Sequence, residues 1–319
     1  MVQQAAPEVL ICEVGPRDGL QNEPETLPTA VKRELVERLV RTGLRRIEIT
    51  SFVSPRWIPQ LADGEALAAS LARPDGVVYS ALVPNARGYE RFSGVGGLGV
   101  AAVFASASET HNRKNVNRSI AAQLEEIRLV SERAHADGVR VRAYVSTVCG
   151  CPYEGEVALR AVVELAERLL DLGADEISLG DTIGIGHPRQ VRELVAAVAA
   201  EIPLDRVALH MHDTYGRALA NVQAGYEAGV RAFDASLGGL GGCPYAPGAS
   251  GNVATEDVLD LFERAGVRTG VELDALVDTT QWLQDEILRR PLPGRVFRAR
   301  LGARRGAAEC APGGAGDAE

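Results

Sequence analysis

The feature that most restricts how this chain can fold is a repeated change of period. Eight short runs have the length and residue types of β-strands: "VLICEV" (9–14), "RIEIT" (46–50), "VVYSALV" (77–83), "VAAVFAS" (100–106), "VRAYVST" (141–147), "EISLGD" (176–181), "VALHMHD" (207–213) and "AFDASL" (232–237). Between them the apolar residues move to a spacing of three and four. Val31, Leu35, Leu39 and Val40 share a face opposite Lys32, Arg33, Glu37 and Arg41; Ile120, Leu124, Ile127 and Val130 repeat the pattern, as do Val191, Leu194, Val195 and Val198 after Pro188. Eight strand–helix units are what a closed parallel barrel requires, whereas an open doubly wound sheet normally has fewer. The expected fold is therefore α/β, a TIM (β/α)8 barrel, with only a short helix in the third unit, "NARGYERFSG".

The stretch "VELDALVDTTQWLQDEILRR" (271–290) reads as one or two additional C-terminal helices. Residues 1–300 are thus expected to form one barrel domain with a helical extension. Residues 301–319, which run into Ala and Gly without an apolar period, are expected to be a disordered tail. A length of 319 residues suits a single barrel, and 46% hydrophobic with 24% charged residues suits a soluble globular chain with ample core.

A formal charge of −9 argues against a nucleic-acid partner and for a small-molecule ligand. The start, "MVQQAAPEVL", has neither a charged n-region nor an apolar h-region, and no apolar run reaches membrane-spanning length, so no membrane partner and a cytoplasmic location are expected. Cysteines stand at 12, 149, 151, 243 and 310, an odd number without zinc-ribbon spacing, so structural disulfides are not expected.

Active sites of such barrels lie at the C-terminal ends of the strands. Read in order, those ends form a polar ring: Glu13, Arg17 and Asp18; Glu48 and Thr50; Asn85; Ser106, Ser108 and Glu109; Ser146 and Thr147; Asp181 and Thr182; His210, His212 and Asp213; then Cys243 and Asn252 in the eighth loop. "CEVGPRDGLQNE" (12–23) sets Arg17 beside Asp18 between glycines, a pattern that by itself is equally an ordinary turn. His210 and His212 are two apart on one strand, so both rings project to one face, which inside a barrel is the interior. Such a pair is either a hydrogen-bonded core pair or a metal site; its place at a strand terminus, with Asp18 within reach, favours the metal. With an Asn carbonyl the donors form a mixed N/O set suited to Mg²⁺ or Mn²⁺, and open to Zn²⁺ or Co²⁺. Lysine occurs only at 32, on the polar face of the first helix, and 114, in a loop, so a Schiff-base mechanism lacks its strand lysine.

The stretches "EVGPRDGLQNE", "IEITSFVSPRWIPQLAD", "YVSTVCGCPYEG", "EISLGDTIGIG", "HMHDTYGRALAN" and "GLGGCPYAPGASGNVATED" resemble, in order and spacing, the hydroxymethylglutaryl-CoA lyase family. The resemblance implies a metal-dependent carbon–carbon lyase that cleaves (S)-3-hydroxy-3-methylglutaryl-CoA to acetoacetate and acetyl-CoA, a step of leucine breakdown and ketone-body formation. It implies Asp18, His210, His212 and Asn252 as ligands of a divalent ion, Mg²⁺ or Mn²⁺, and Arg17, Asp18 and Cys243 as the residues of the chemistry. Gln21, Glu48 and Asp181, with Arg17, are implied in substrate binding or support. The implied partners are an acyl-CoA substrate and further copies of the chain, as a homodimer or higher homo-oligomer.

The segment "SASETHNRKNVN" departs from the animal enzymes' version, which leaves the acyl chain open. A lyase for a longer branched thioester such as 3-hydroxy-3-isohexenylglutaryl-CoA would carry the same motifs. A Claisen condensing enzyme of the isopropylmalate synthase type would usually add a regulatory domain, and a silent CoA-binding scaffold would be expected to lose Arg17, a His or Cys243.

Overall fold

The computed structural model describes residues 8–242 and 251–310, the last six as backbone only. Eight parallel strands close into a barrel in sequence order: β1 (Leu10–Glu13), β2 (Arg46–Ser51), β3 (Val78–Leu82), β4 (Val100–Ser106), β5 (Arg140–Ser146), β6 (Glu176–Asp181), β7 (Val207–Met211) and β8 (Ala232–Ala235). All eight expected strand runs are present. Around them lie α1 (Thr29–Arg41), α2 (Gly64–Ser70), α3 (Ala86–Val95), α4 (Glu109–Val116), α5 (Ile120–Ala136), α6 (Leu159–Asp171), α7 (Pro188–Ala199), α8 (Ala218–Glu227) and α9 (Thr255–Arg264). The C-terminal segment adds α10 (Leu273–Trp282), a wide helical turn (Leu283–Leu288) and α11 (Arg295–Cys310).

Helix α11 extends into the part expected to be irregular. Phe297 and Leu301 are buried one turn apart, which seats the helix, and Arg300 and Arg304 pair with Asp274 and Asp278 of α10. Lys32 also differs from expectation. It is buried and bonds Asp63 at 2.6 Å and the Gln60 carbonyl, tying α1 to the loop before α2. Among the described residues no helix is long and apolar enough to cross a membrane.

The main core lies between sheet and helices, and alternation along the strands decides what enters it. On β5, Val141, Ala143 and Val145 join that core, as do Leu209 and Met211 of β7 and Phe233 and Ala235 of β8. The residues between them, Arg142, Tyr144, His210 and Asp234, face the barrel interior, which is built mainly from charged and polar side chains. Leu82, Ala102 and Tyr144, with Val53 and Phe104 against them, form a separate small apolar cluster.

Candidate active site

The wide turn Gly15–Gly19 follows β1. The amides of Arg17, Asp18 and Gly19 all lie within 3.3 Å of the Val14 carbonyl, which draws the chain into one open loop. A side chain at Gly15 would strike Leu237 and Glu13, and one at Gly19 would press on Leu240. Those two glycines are therefore demanded by close approach, and the turn they permit carries Arg17 and Asp18 over the barrel mouth.

Residues 251–255 run on from the ends of β7 and β8. Asp213 donates to the Gly251 carbonyl (2.7 Å), Val253 to Met211 (3.2 Å), and Ser236 to Val253 (3.0 Å), so Asn252 is bridged to His212. Its Nδ2 donates to Asp18 Oδ2 at 2.8 Å and to the Leu240 carbonyl at 3.3 Å.

The Nε2 atoms of His210 and His212 are 3.1 Å apart, and with an Asp18 oxygen they form a group whose ligand atoms all lie within 4.8 Å of one another. Two ring nitrogens aimed at one point and backed by a carboxylate suit a divalent cation better than they suit each other, because a single shared proton is all that could otherwise join the rings. Burial holds His212 down to about 4, with His210 adding to the effect, so its lone pair stays available. Burial opposes charge on Asp18, but Arg17 and the imidazoles override it and hold that carboxyl at about 2. The donor set fits a divalent ion.

Arg17 does more than stand beside Asp18. Its Nη1 pairs with Asp18 and its Nε with Glu48. Glu48 also accepts the Tyr144 hydroxyl. Tyr144 in turn accepts from Arg142 at 2.8 Å, and Arg142 forks onto Asp234 at 2.7 and 3.1 Å and onto Glu176 at 2.6 Å. Arg142, Tyr144 and Asp234 were missed in the sequence; their signal was a polar residue at every second position of an otherwise apolar strand.

A cavity of about 720 Å³ opens here, lined by Arg17, Asp18, Gln21, His210 and His212 at its polar end and by Val53, Leu82, Phe104 and Tyr144 on an apolar wall. Lys114, Asn117 and Arg118 line it from α4 and the turn after it. Asn85, Ser146 and Thr182 of the expected ring reach it, and so does His111, which bonds Ser106 at 2.7 Å.

Other members of the ring face elsewhere. Glu13 accepts from the Gly15 and Leu237 amides and the Thr255 hydroxyl, behind the turn. Thr50, beyond an irregularity in β2, lies against Gly64. Ser108 caps α4, Glu109 pairs with Arg113, Thr147 bonds the Ser146 carbonyl, and Asp213 bonds the Ala218 amide. Asp181 accepts the Gly186 amide at 2.9 Å on the outer side of β6, where burial pushes it up to about 6. It holds the 182–186 loop and does not line the cavity. Cys243 and part of its loop lie outside the described residues.

Comparison with known proteins agrees with this geometry. The HMGL-like family model matches residues 8–283. The chain is 49% identical over 295 residues to the hydroxymethylglutaryl-CoA lyase of Bacillus subtilis, covering 92% of this chain and 98% of that one. It is also 49% identical over 274 residues to a 3-hydroxy-3-isohexenylglutaryl-CoA/hydroxymethylglutaryl-CoA lyase of Pseudomonas aeruginosa, covering 86% and 91%. A solved HMG-CoA lyase from A. baumannii, in complex with coenzyme A and 3-methylmalate, superposes with a TM-score of 0.87 at 40% identity, over 91% of this chain and 94% of that one. Agreement along nearly the whole barrel, with the Asp–His–His group at its mouth, makes this chain a member of the HMGL-like family.

Proposed function

We propose that the chain is a divalent-metal-dependent lyase that cleaves 3-hydroxy-3-methylglutaryl-CoA to acetoacetate and acetyl-CoA. The observation that carries this reading is the convergence of Asp18, His210 and His212 at one end of a deep cavity, with the Arg17 guanidinium held beside them. Asp18, His210, His212 and Asn252 would hold the ion, Mg²⁺ or Mn²⁺. When bound, it supplies Lewis acidity toward the substrate's tertiary hydroxyl and a carboxylate oxygen.

The chain's own residues then divide the work. Asp18, held at the mouth of the barrel beside Arg17, is the carboxylate placed to accept the hydroxyl proton. As the proton leaves, the oxygen lone pair forms the ketone of acetoacetate, the C2–C3 bond pair becomes a C1–C2 double bond, and the thioester carbonyl pair moves onto its oxygen, leaving the enolate of acetyl-CoA. Arg17 meets the enolate oxygen. Its two ion pairs use Nε and Nη1, and Nη2 stands outside both. Glu48 fixes the Arg17 side chain, and Tyr144 fixes Glu48. Gln21, whose buried Oε1 has no partner among the described residues, faces the same cavity and accepts from bound substrate. Cys243 protonates the enolate carbon, completing acetyl-CoA.

The apolar wall of Val53, Leu82 and Phe104 favours a second substrate as well, a thioester with a longer branched group at C3. The test is a panel of 3-hydroxyglutaryl-CoA thioesters with Mg²⁺, following acetyl-CoA release. Cleavage of the methyl compound supports the main reading, comparable turnover of the isohexenyl compound supports the second, and no release from any member overturns both.

A further inference from the structure

We infer that Asp234 is a positioning residue for the metal, acting through the tautomer and orientation of His210. The inference rests on the reading that Asp18, His210 and His212 hold a divalent ion.

Asp234 lies beside His210 on the neighbouring strand, in register with it. Its carboxylate is fully enclosed, and Oδ2 stands 3.2 Å from His210 Nδ1. A neutral imidazole carries one proton. Placed on Nδ1, it satisfies Asp234 and leaves the Nε2 lone pair facing His212 and Asp18; placed on Nε2, it blocks the ion. His212 is supported differently, by a backbone hydrogen bond with Thr182 rather than by a carboxylate. His210 is thus the ligand whose aim is set by a buried carboxylate.

A carboxylate is required here for a reason visible in its partners. Oδ2 receives Arg142 Nη1 at 3.1 Å, the Ser178 hydroxyl at 2.9 Å and His210 Nδ1, while Oδ1 receives Arg142 Nη2 at 2.7 Å. All four partners can donate, and an amide cannot accept from all of them. An Asn with its NH₂ toward Arg142 would set donor against donor. With its NH₂ toward His210 it would force the proton onto Nε2, and an Asp→Asn exchange beside a working histidine is known to reverse a tautomer in this way.

The network also has a continuous path. Asp18, Arg17, Glu48, Tyr144, Arg142, Asp234 and His210 are linked in that order by hydrogen bonds or ion pairs, so two of the ligands are the two ends of one chain of contacts. The path sets both ends against the same rigid interior, which is how a small shift at Asp234 reaches the ion.

The experiment is Mn²⁺ titration of wild type, Asp234→Asn and Asp234→Ala, read by the EPR signal of free Mn²⁺. Histidine-labelled protein, with five imidazoles in all, reports the His210 tautomer by ¹⁵N NMR, and circular dichroism reports folding. Expected are a loss of Mn²⁺ affinity of about 10-fold to 100-fold in Asp234→Asn, a His210 signal that leaves the Nδ1–H form, and recovery of most of kcat at saturating Mn²⁺. Asp234→Ala strips Arg142 of a partner, so if it does not fold the amide variant decides the matter. Wild-type binding with unchanged affinity and tautomer in Asp234→Asn overturns the inference. A wild-type protein that binds no Mn²⁺ overturns the metal reading itself.

Discussion

Asn252 donates to Asp18 at 2.8 Å, joining the segment after the eighth strand to the turn after the first. The contact ties Asn252 into the metal group from two directions, because Asn252 is also bridged through its backbone to His212. Removing either side chain should therefore be felt at the ion before it is felt in the fold.

Chelation should abolish activity, and Mg²⁺ or Mn²⁺ should restore it. His210→Ala and Asp18→Asn should lower metal content together with turnover, and Asn252→Ala should do so to a lesser degree. Metal analysis by plasma mass spectrometry alongside kcat checks this. Full turnover in exhaustively demetallated protein would remove the basis for the assignment.

Arg17→Gln keeps hydrogen-bonding capacity and removes the charge. Loss of one donor to a developing oxyanion typically costs about 10²-fold to 10³-fold in rate, and kcat should fall more than KM rises. Metal content should persist, since Asp18 is released from a competing ion pair. Glu48 loses its buried cation, at a cost of about 3 kcal/mol in stability, so rates must be compared where circular dichroism shows both proteins folded. A variant that loses its metal and regains normal turnover on resupply would show that Arg17 only supports Asp18.

Cys12, Cys149 and Cys151 are free and buried, and burial pushes the Cys12 and Cys149 thiols well up, which leaves them unreactive. Inactivation of the native enzyme by iodoacetamide should therefore trace to Cys243. Cys243→Ser should depress kcat far more than it alters substrate binding, and Cys310→Ser should do little. Peptide mapping against residual rate is the measurement, and a Cys243-alkylated protein of normal rate would remove the thiol from the mechanism.

Glu13 and Glu256 grip the turn Leu237–Gly239 from below, accepting the Leu237 amide at 2.9 Å and the Gly238 amide at 2.8 Å. Burial pushes Glu13 up to about 7 and Glu256 up to about 8. A carboxyl raised in the fold holds its proton more tightly there than in the unfolded chain. Its stabilising contribution is complete below about pH 4.5 and is lost as pH climbs through the folded value. Glu256→Gln needs no proton to stay neutral. Between about pH 5 and 8 its Tm should decline less than that of the wild type, and parallel Tm curves would show that Glu256 does not titrate in this range.

Period alone, read along the chain, determined the eight strands, the helices α1, α5 and α7 and the pairing of His210 with His212 on one inward face, while α4, read as a loop, carried no such period. These are local properties, since a two-residue or four-residue repeat needs no knowledge of what lies across the barrel. The Arg-Asp turn could be placed at a strand end for the same reason.

Closure of the barrel decided the rest. Which strand ends look inward depends on parity and register together, so Asp181 turned outward between Gly180 and Thr182, and Glu13 turned toward Thr255. The partners of the buried charges are set by three-dimensional neighbourhood. Arg142 meets Asp234 across 92 residues, and Tyr144 meets Glu48 across 96. Each of these charges is costly to bury alone and tolerable only beside its partner. No repeat along the chain records that pairing, because it comes into being only when β1 and β8 meet and the interior is shut from water.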